Sequence, residues 1–351
     1  MRPWRVQSCG AGLPAPLSVF CPALPRGDAM LEALYIALSA VVPVFLVIAL
    51  GAWLRRQGSL PDNAGRVLGV FVLKLALPLL VLHLMAQAQP QDLARGSFWL
   101  GGLGAQSLMF ALVWGVDRLA LGRGRGEAVI AGMNASINNV GFVGLAIILN
   151  LFPGNTEALL VTGLVIFATN LGISLTQSWL DCLSGGVGGW RGLLQKLAGN
   201  PLLLAVLCGM VLACTGLGLW EPLDRTARLL GHTAAPCMLL ALGYDVQERL
   251  ALVHQQRLSS VLVRQGWIVG CKLLLHPLLC WLLLWLLGVD GLWLTVSVLL
   301  SATAAALVNA VMAEVHDANP TEAALSVLLS NGLSLFSLTG FIWLFIGLGM
   351  A

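Results

Sequence analysis

The sequence predicts an all-α integral membrane protein in which ten transmembrane helices form two five-helix repeats of inverted topology. Three observations carry that prediction. Apolar residues make up 58% of the 351-residue chain and charged residues 10%, whereas about a quarter of a soluble domain is charged. The apolar residues come in runs of about 20, the length that crosses the roughly 30 Å hydrocarbon core of a bilayer. Segments of the second half also repeat segments of the first at offsets of 158 and 165 residues.

Read in order, the runs place helices at 31–54, 65–86, 97–120, 127–152, 156–180, 200–220, 223–246, 259–287, 291–315 and 321–349. Residues that leave helices readily mark the breaks. They include Arg55-Arg56-Gln57-Gly58 after the first span, Gln89-Pro90-Gln91-Asp92 after the second, and Gly122 to Gly126 after the third. Pro153-Gly154-Asn155 follows the fourth span, a glycine-rich stretch from Gly185 to Gly189 the fifth, and Asn319-Pro320 precedes the tenth. No connection is long enough to hold a soluble domain. Residues 1–29 are rich in Pro, Gly and Cys, without the apolar core and small-residue cleavage site of a signal peptide. Because Met30 directly precedes the first span, they are expected to be an over-extended start or a disordered leader. The remainder divides into a first repeat at 30–184, a cytoplasmic linker at 185–199 and a second repeat at 200–351.

Charge asymmetry sets the orientation. With the loop after the first span in the cytoplasm, that side collects Arg55, Arg56, Arg66, Arg118, Arg123, Arg125, Arg191, Lys196, Arg249, Arg257 and Arg264. The opposite side keeps Arg95, Arg225 and Arg228, joined by Arg2, Arg5 and Arg26 of the N-terminal segment. Both termini are therefore expected outside the cytoplasm, with Lys74 and Lys272 left within spans. A net charge of +3 spread between apolar runs argues against nucleic acid as a partner.

The repeat aligns Pro43 with Pro201 and Pro78 with Pro236, and Ala76 to Leu82 resembles Ala234 to Leu240. At the larger offset Ser136 falls on Ser301, and Thr156-Glu157-Ala158-Leu159 lies near Thr321-Glu322-Ala323-Ala324. Five is odd, so the second half enters from the opposite side. Inverted repeats recur in secondary transporters, whose sites lie near the midplane where corresponding helices are interrupted. The fourth span carries Asn134, Ser136, Asn138 and Asn139 at that depth, followed by Gly141 and Gly144, and the ninth carries Ser301, Thr303 and Asn309 around Ala304-Ala305-Ala306. Such groups are costly in hydrocarbon unless paired. They either line a polar site for a small anion or glue the bundle by interhelical hydrogen bonds. Lys272 and His276, four apart on the eighth span, share one face and mark either a pathway or support for the interrupted helices. Asn331, with Ser330 and Ser334, supplies further polar contacts from the tenth span, as Thr169 and Asn170 do from the fifth. Lys74 and His83 are expected to snorkel or pack.

Other chemistries lack a constellation. The eight cysteines form no CxxC pair, and five fall inside apolar runs, where Cys behaves as a small hydrophobe. Gly122-Arg123-Gly124-Arg125-Gly126 is expected to be a flexible positive loop, because no strand precedes it and no Lys-Ser/Thr follows. Glu314-Val315-His316-Asp317 sits at a span boundary and reads as a cap or gate instead of a metal cluster. No metal or cofactor is expected, HExxH and GxSxG are absent, and ATP hydrolysis is disfavoured. An intramembrane lipid-modifying enzyme would need acidic or His pairs at helical spacing, which only Lys272/His276 approaches.

Pro43-Val44-Phe45 with Leu50-Gly51, Leu77-Pro78, Asn134 to Gly144, Gly199-Asn200-Pro201, Ala235-Pro236 with Leu240-Ala241-Leu242-Gly243, Lys272 to Pro277, and Asn309 with Ala313-Glu314 occur in an order that resembles the auxin efflux carrier family, including its bacterial malonate/malate permease-like members. The resemblance covers about 30–350. It implies a fold akin to bile-acid symporters and sodium/proton exchangers, in which helices 4 and 9 cross. Spans 1, 2, 6 and 7 would form a scaffold, and spans 3–5 and 8–10 a moving bundle. It implies a secondary active or facilitative transporter of small organic anions, with Asn138, Asn139, Asn309, Asn134, Ser136 and Asn331 toward substrate and Lys272 and His276 in support or coupling. It also implies a proton or sodium as coupling ion, a homodimer through scaffold helices, and a bacterial inner-membrane location. A sodium-coupled symporter of a bulkier anion is the alternative. The family commonly has a proline before the ninth-span Asn, where this chain has Ala304-Ala305-Ala306. These residues alone therefore permit an unbroken helix.

Overall fold

A computed structural model describes residues 27–185, 189–253 and 258–348. Residues 1–26, with the leader reading and Arg2, Arg5 and Arg26 of the charge count, lie outside the described residues, as does Arg257. Helices account for nearly all of what is described, and there is no strand beyond one isolated bridge. This is the all-helical, apolar construction of an integral membrane protein. Among the described residues, six helices are long and apolar enough to cross a membrane: Leu31–Gln57, Ala64–Ala86, Pro90–Ala120, Thr156–Leu183, Arg264–Leu286 and Pro320–Gly347, with a seventh if the bent pair Arg191–Gly199 and Pro201–Thr215 counts as one span.

In chain order the elements are α1 (Gly27–Gln57), α2 (Ala64–Ala86), α3 (Gly96–Gly115), α4 (Arg125–Ser136), α5 (Val140–Leu151) and α6 (Thr156–Leu183). The second half contains α7 (Gly189–Gly199), α8 (Pro201–Thr215), α9 (Glu221–Gly231) and α10 (Ala234–Val253). There follow α11, which runs from Leu258–Gly270 through a π-turn at Cys271–Leu275 into His276–Leu286, then α12 (Gly291–Ser301), α13 (Val308–Val315) and α14 (Pro320–Gly347).

Two expected stretches differ. The linker at 185–199 contains α7, which meets α8 at 74°; Asn200 turns the chain there by accepting from the N–H groups of Leu202 (3.0 Å) and Leu203 (3.4 Å), an N-cap with Pro201 behind it. The expected seventh span at 223–246 is two helices. Glu221, Asp224, Arg225 and Arg228 make α9 too polar for hydrocarbon, and the chain restarts at Ala234 after the Thr233 N–H closes a turn on the Leu230 carbonyl (3.1 Å). Pro236 then sits in the first turn of α10, where its missing N–H costs no helical bond.

Packing sorts the helices into neighbours. Helix α1 packs along α10, and α2 along α8 and α10; α3 meets α4 and α11, and α6 meets α12. Helix α14 touches both α1 and α13. The α1–α10 approach depends on glycine: a Cβ on Gly243 would stand 1.9 Å from the Ile48 carbonyl oxygen, and one on Gly51 2.3 Å from that of Leu240. Backbone faces backbone there, so no flexible side chain can yield. Gly243→Ala is expected to destabilise by about 2–3 kcal/mol, read as a lowered thermal midpoint in detergent. Gly266→Ala, with nothing within 4 Å of the added carbon, should leave the midpoint unchanged or raise it.

Candidate functional site

The stretches expected to be the fourth and ninth spans are each broken, and the breaks face each other. Helix α4 stops at Ser136 and α12 at Ser301; α5 and α13 resume at Val140 and Val308. The intervening extended segments pair as one antiparallel bridge between Asn138 and Ala305. The Asn139 N–H donates to the Ala304 carbonyl (2.9 Å) and the Ala306 N–H to that of Ile137 (3.1 Å).

Proline is not needed because other elements satisfy the backbone groups that leave the helices. The Ser330 hydroxyl of α14 accepts from the Ala305 N–H (3.1 Å), and the Ser337 hydroxyl donates to the Ala302 carbonyl (3.3 Å). Lys272 of α11 donates to the Ser301 carbonyl (2.8 Å) and to Asn138 Oδ1. Buried backbone groups without such partners would be expensive. The three alanines let the two extended segments close to bridging distance. Gly141 and Gly144 do not supply unusual backbone angles, since neither has positive φ. They allow close approach instead: added Cβ atoms would meet Leu77 Cδ2 at 3.1 Å and Leu300 Cδ2 at 2.7 Å.

A cavity of about 670 Å³ opens against the crossover, walled by α2, α6, the α7–α8 junction and α10. Asn138 and Asn139 line it, as do Val140, Gly141, Leu307 and Val308 from the first turns of α5 and α13. The first N–H groups of a helix have no intrahelical acceptor, and with the aligned peptide dipoles they favour an anion. Thr169, Asn170, Ser174 and Gln177 of α6 add polar groups to the wall.

The other expected residues are placed differently. Ser136 is buried and its hydroxyl donates to the Gly132 carbonyl (2.8 Å). Asn134 faces a separate small recess beside Gln265, Glu322 and Ser326, with Oδ1 unpartnered among the described residues. Asn331 donates to the Val327 carbonyl (2.7 Å), and its Oδ1 accepts from Asn139 Nδ2 at 3.5 Å. Asn309 is 0% exposed, off the cavity wall, with both side-chain polar atoms unpartnered among the described residues. Lys272 and His276 lie behind the crossover, fully enclosed, with Nζ 3.3 Å from His276 Nδ1. A second void of about 30 Å³ touches His276, Ser297 and Ser301, and Asn138 borders both spaces.

Sequence reasoning missed part of the wall. Lys74, expected to snorkel or pack, lines the large cavity with Arg66. The available signal was helical spacing, because Arg66, Val70, Lys74 and Leu77 recur every three or four residues and all four reach the wall. The glycine-arginine loop also differs from expectation: Arg123 is held by Glu127 (2.8 Å) and Glu322 (2.6 Å), while Arg264 binds Glu322 and Asp117 (3.1 Å).

Comparison with known proteins settles the class. The model of a family described as membrane transport protein matches residues 36–180 and 191–342. The chain belongs to that family. It is a membrane transporter of the auxin efflux carrier group, not an enzyme. Over 309 residues it is 28% identical to a protein of Rhizobium meliloti (strain 1021) named "Putative malonate transporter", covering 87% of this chain and 94% of the relative. An "Uncharacterized transporter" of Methanothermobacter thermautotrophicus is 27% identical over 308 residues, covering 85% and 95%.

Proposed function

We propose that this transporter carries small organic anions, carboxylates of the malonate and malate class, by an elevator-type alternating-access movement. The observation that carries the reading is the polar crossover itself: two interrupted helices present Asn138, Asn139 and two helix N-termini to one cavity. In this reading the ten expected spans form two inverted repeats, and α4–α5 and α12–α13 are corresponding members. The moving body is α3–α6 with α11–α14, and α1, α2, α8 and α10 stand still; the pairings of α1 with α10, α2 with α8, and α3 with α4 and α11 support that division. The name of the Rhizobium relative supports the carboxylate class.

Lys272 ties the crossover from behind, with His276 beside it, so that loading is coupled to a proton or a sodium ion through a rigid unit. Asn309, Asn134, Ser136 and Asn331 support the same centre. The protein sits in the bacterial inner membrane with both termini outside the cytoplasm, following the arginine asymmetry, and pairs as a homodimer through the stationary helices. One observation favours a bulkier anion as a second substrate class: 670 Å³ exceeds what a three-carbon diacid fills.

Counterflow of labelled malonate, malate and an indole carboxylate in proteoliposomes tests this, under separately imposed sodium, proton and voltage gradients. Saturable flux of at least one carboxylate is expected. Absence of flux with all three, whatever the gradient, would remove the reading.

A further inference from the structure

The large cavity has an electrostatic imbalance that the crossover does not explain. Four charged side chains reach its wall: Arg66, Lys74, Lys196 and Asp245. Lys196 is held by Asp181, and Asp245 has an interaction of its own. Neither Arg66 nor Lys74 has a hydrogen bond or ion pair among the described residues, and both are exposed. Lys74 is the one nearer in sequence to the segment that abuts the crossover. It stands one turn from Leu77, which abuts Gly141, and Gly141 is two residues beyond Asn139. An unpaired ammonium on a cavity wall shared with Val70, Leu73 and Leu77 draws a carboxylate to that side.

We infer that Lys74 receives the second carboxylate of a dianionic substrate whose first carboxylate is held at Asn138, Asn139 and the adjoining helix N-termini. Lys74 thereby makes the cavity selective for short dicarboxylates over monocarboxylates. The inference rests on the carboxylate-transport reading above and adds to it a residue and a charge requirement. The two ends of the substrate meet different chemistry. Neutral amides and backbone N–H groups accept any carboxylate, whereas the flexible, strongly hydrated ammonium adds strength only when a second negative charge is within its reach. Removing that charge from the substrate or from the protein should therefore have the same consequence.

The test is competition against labelled malonate counterflow by malonate and by monomethyl malonate, which keeps the carbon chain and loses one charge. In the unaltered protein, malonate is expected to compete at a concentration about tenfold or more below that of the ester. Lys74→Gln is expected to weaken malonate about tenfold and leave the ester unchanged, so that the two become nearly equal. Lys74→Arg should restore most of the preference. Equal competition by both anions in the unaltered protein overturns the inference, as does a Lys74→Gln variant that still prefers malonate. Failure of the broader reading looks different: the unaltered protein then moves no carboxylate at all, and the role of Lys74 falls with it.

Discussion

Lys272→Leu is expected to abolish carboxylate flux and to destabilise the protein by about 2–4 kcal/mol. The side chain is 0% exposed and is the shared donor for the two interrupted helices, reaching the Ser301 carbonyl at 2.8 Å and Asn138 Oδ1. Leucine removes the donor and leaves both acceptors buried, and an unmade buried hydrogen bond costs more than the same bond contributes when made. That asymmetry gives a way to separate support from transport. In Lys272→Leu combined with Asn138→Leu, one stranded acceptor is gone, so part of the lost thermal midpoint should return while flux stays absent. Thermal unfolding in detergent and counterflow, measured on the same preparations, check both parts. A Lys272→Leu protein with the original midpoint would show that the lysine is not what closes the crossover.

Much of the helical layout was legible because it depends on local facts. Length, apolar runs and turn residues place α1, α2, α3, α6, α11 and α14 close to where they are found. The broken spans were not legible from their own residues. Ala304-Ala305-Ala306 has no sequence-local reason to leave a helix; it does so because Ser330, Ser337 and Lys272, from two other helices, supply partners for the freed backbone. Tertiary hydrogen bonding thus overrides a neutral local preference. The site shows the same division. Asn138 and Asn139 follow from polarity at mid-membrane depth, but which amides face the cavity depends on where the extended segment turns each residue. Helical spacing from Asn134 put Asn138 on the same face, yet α4 ends at Ser136 and that spacing stops applying. Lys74 illustrates the converse, since the helical spacing of its wall is readable in the sequence but the cavity that the wall faces is not.

Asn139→Ala and Asn309→Ala are expected to lower flux by about tenfold to a hundredfold while leaving the protein folded, for different physical reasons. The crossover bond made by Asn139 uses its backbone N–H on the Ala304 carbonyl (2.9 Å), which alanine keeps. Only the amide is lost, and its sole side-chain hydrogen bond among the described residues is the 3.5 Å approach of Nδ2 to Asn331 Oδ1. The midpoint should therefore hardly move, while the cavity loses a polar group worth about 1.5–3 kcal/mol to a charged ligand. Asn309 is the sharper case. Both its polar atoms are buried and unpartnered among the described residues, an arrangement that costs about 1–3 kcal/mol per stranded group. Alanine removes that cost and leaves a small void, so the midpoint should hold or rise. A residue that weakens the resting fold and yet is required for flux must find its partners in another step of the cycle, when substrate or a coupling ion arrives or the moving body shifts. If Asn139→Ala and Asn309→Ala both transport with unchanged rate and half-saturation, the crossover is not the substrate site. If Asn309→Ala melts lower and transports normally, its amide is structural.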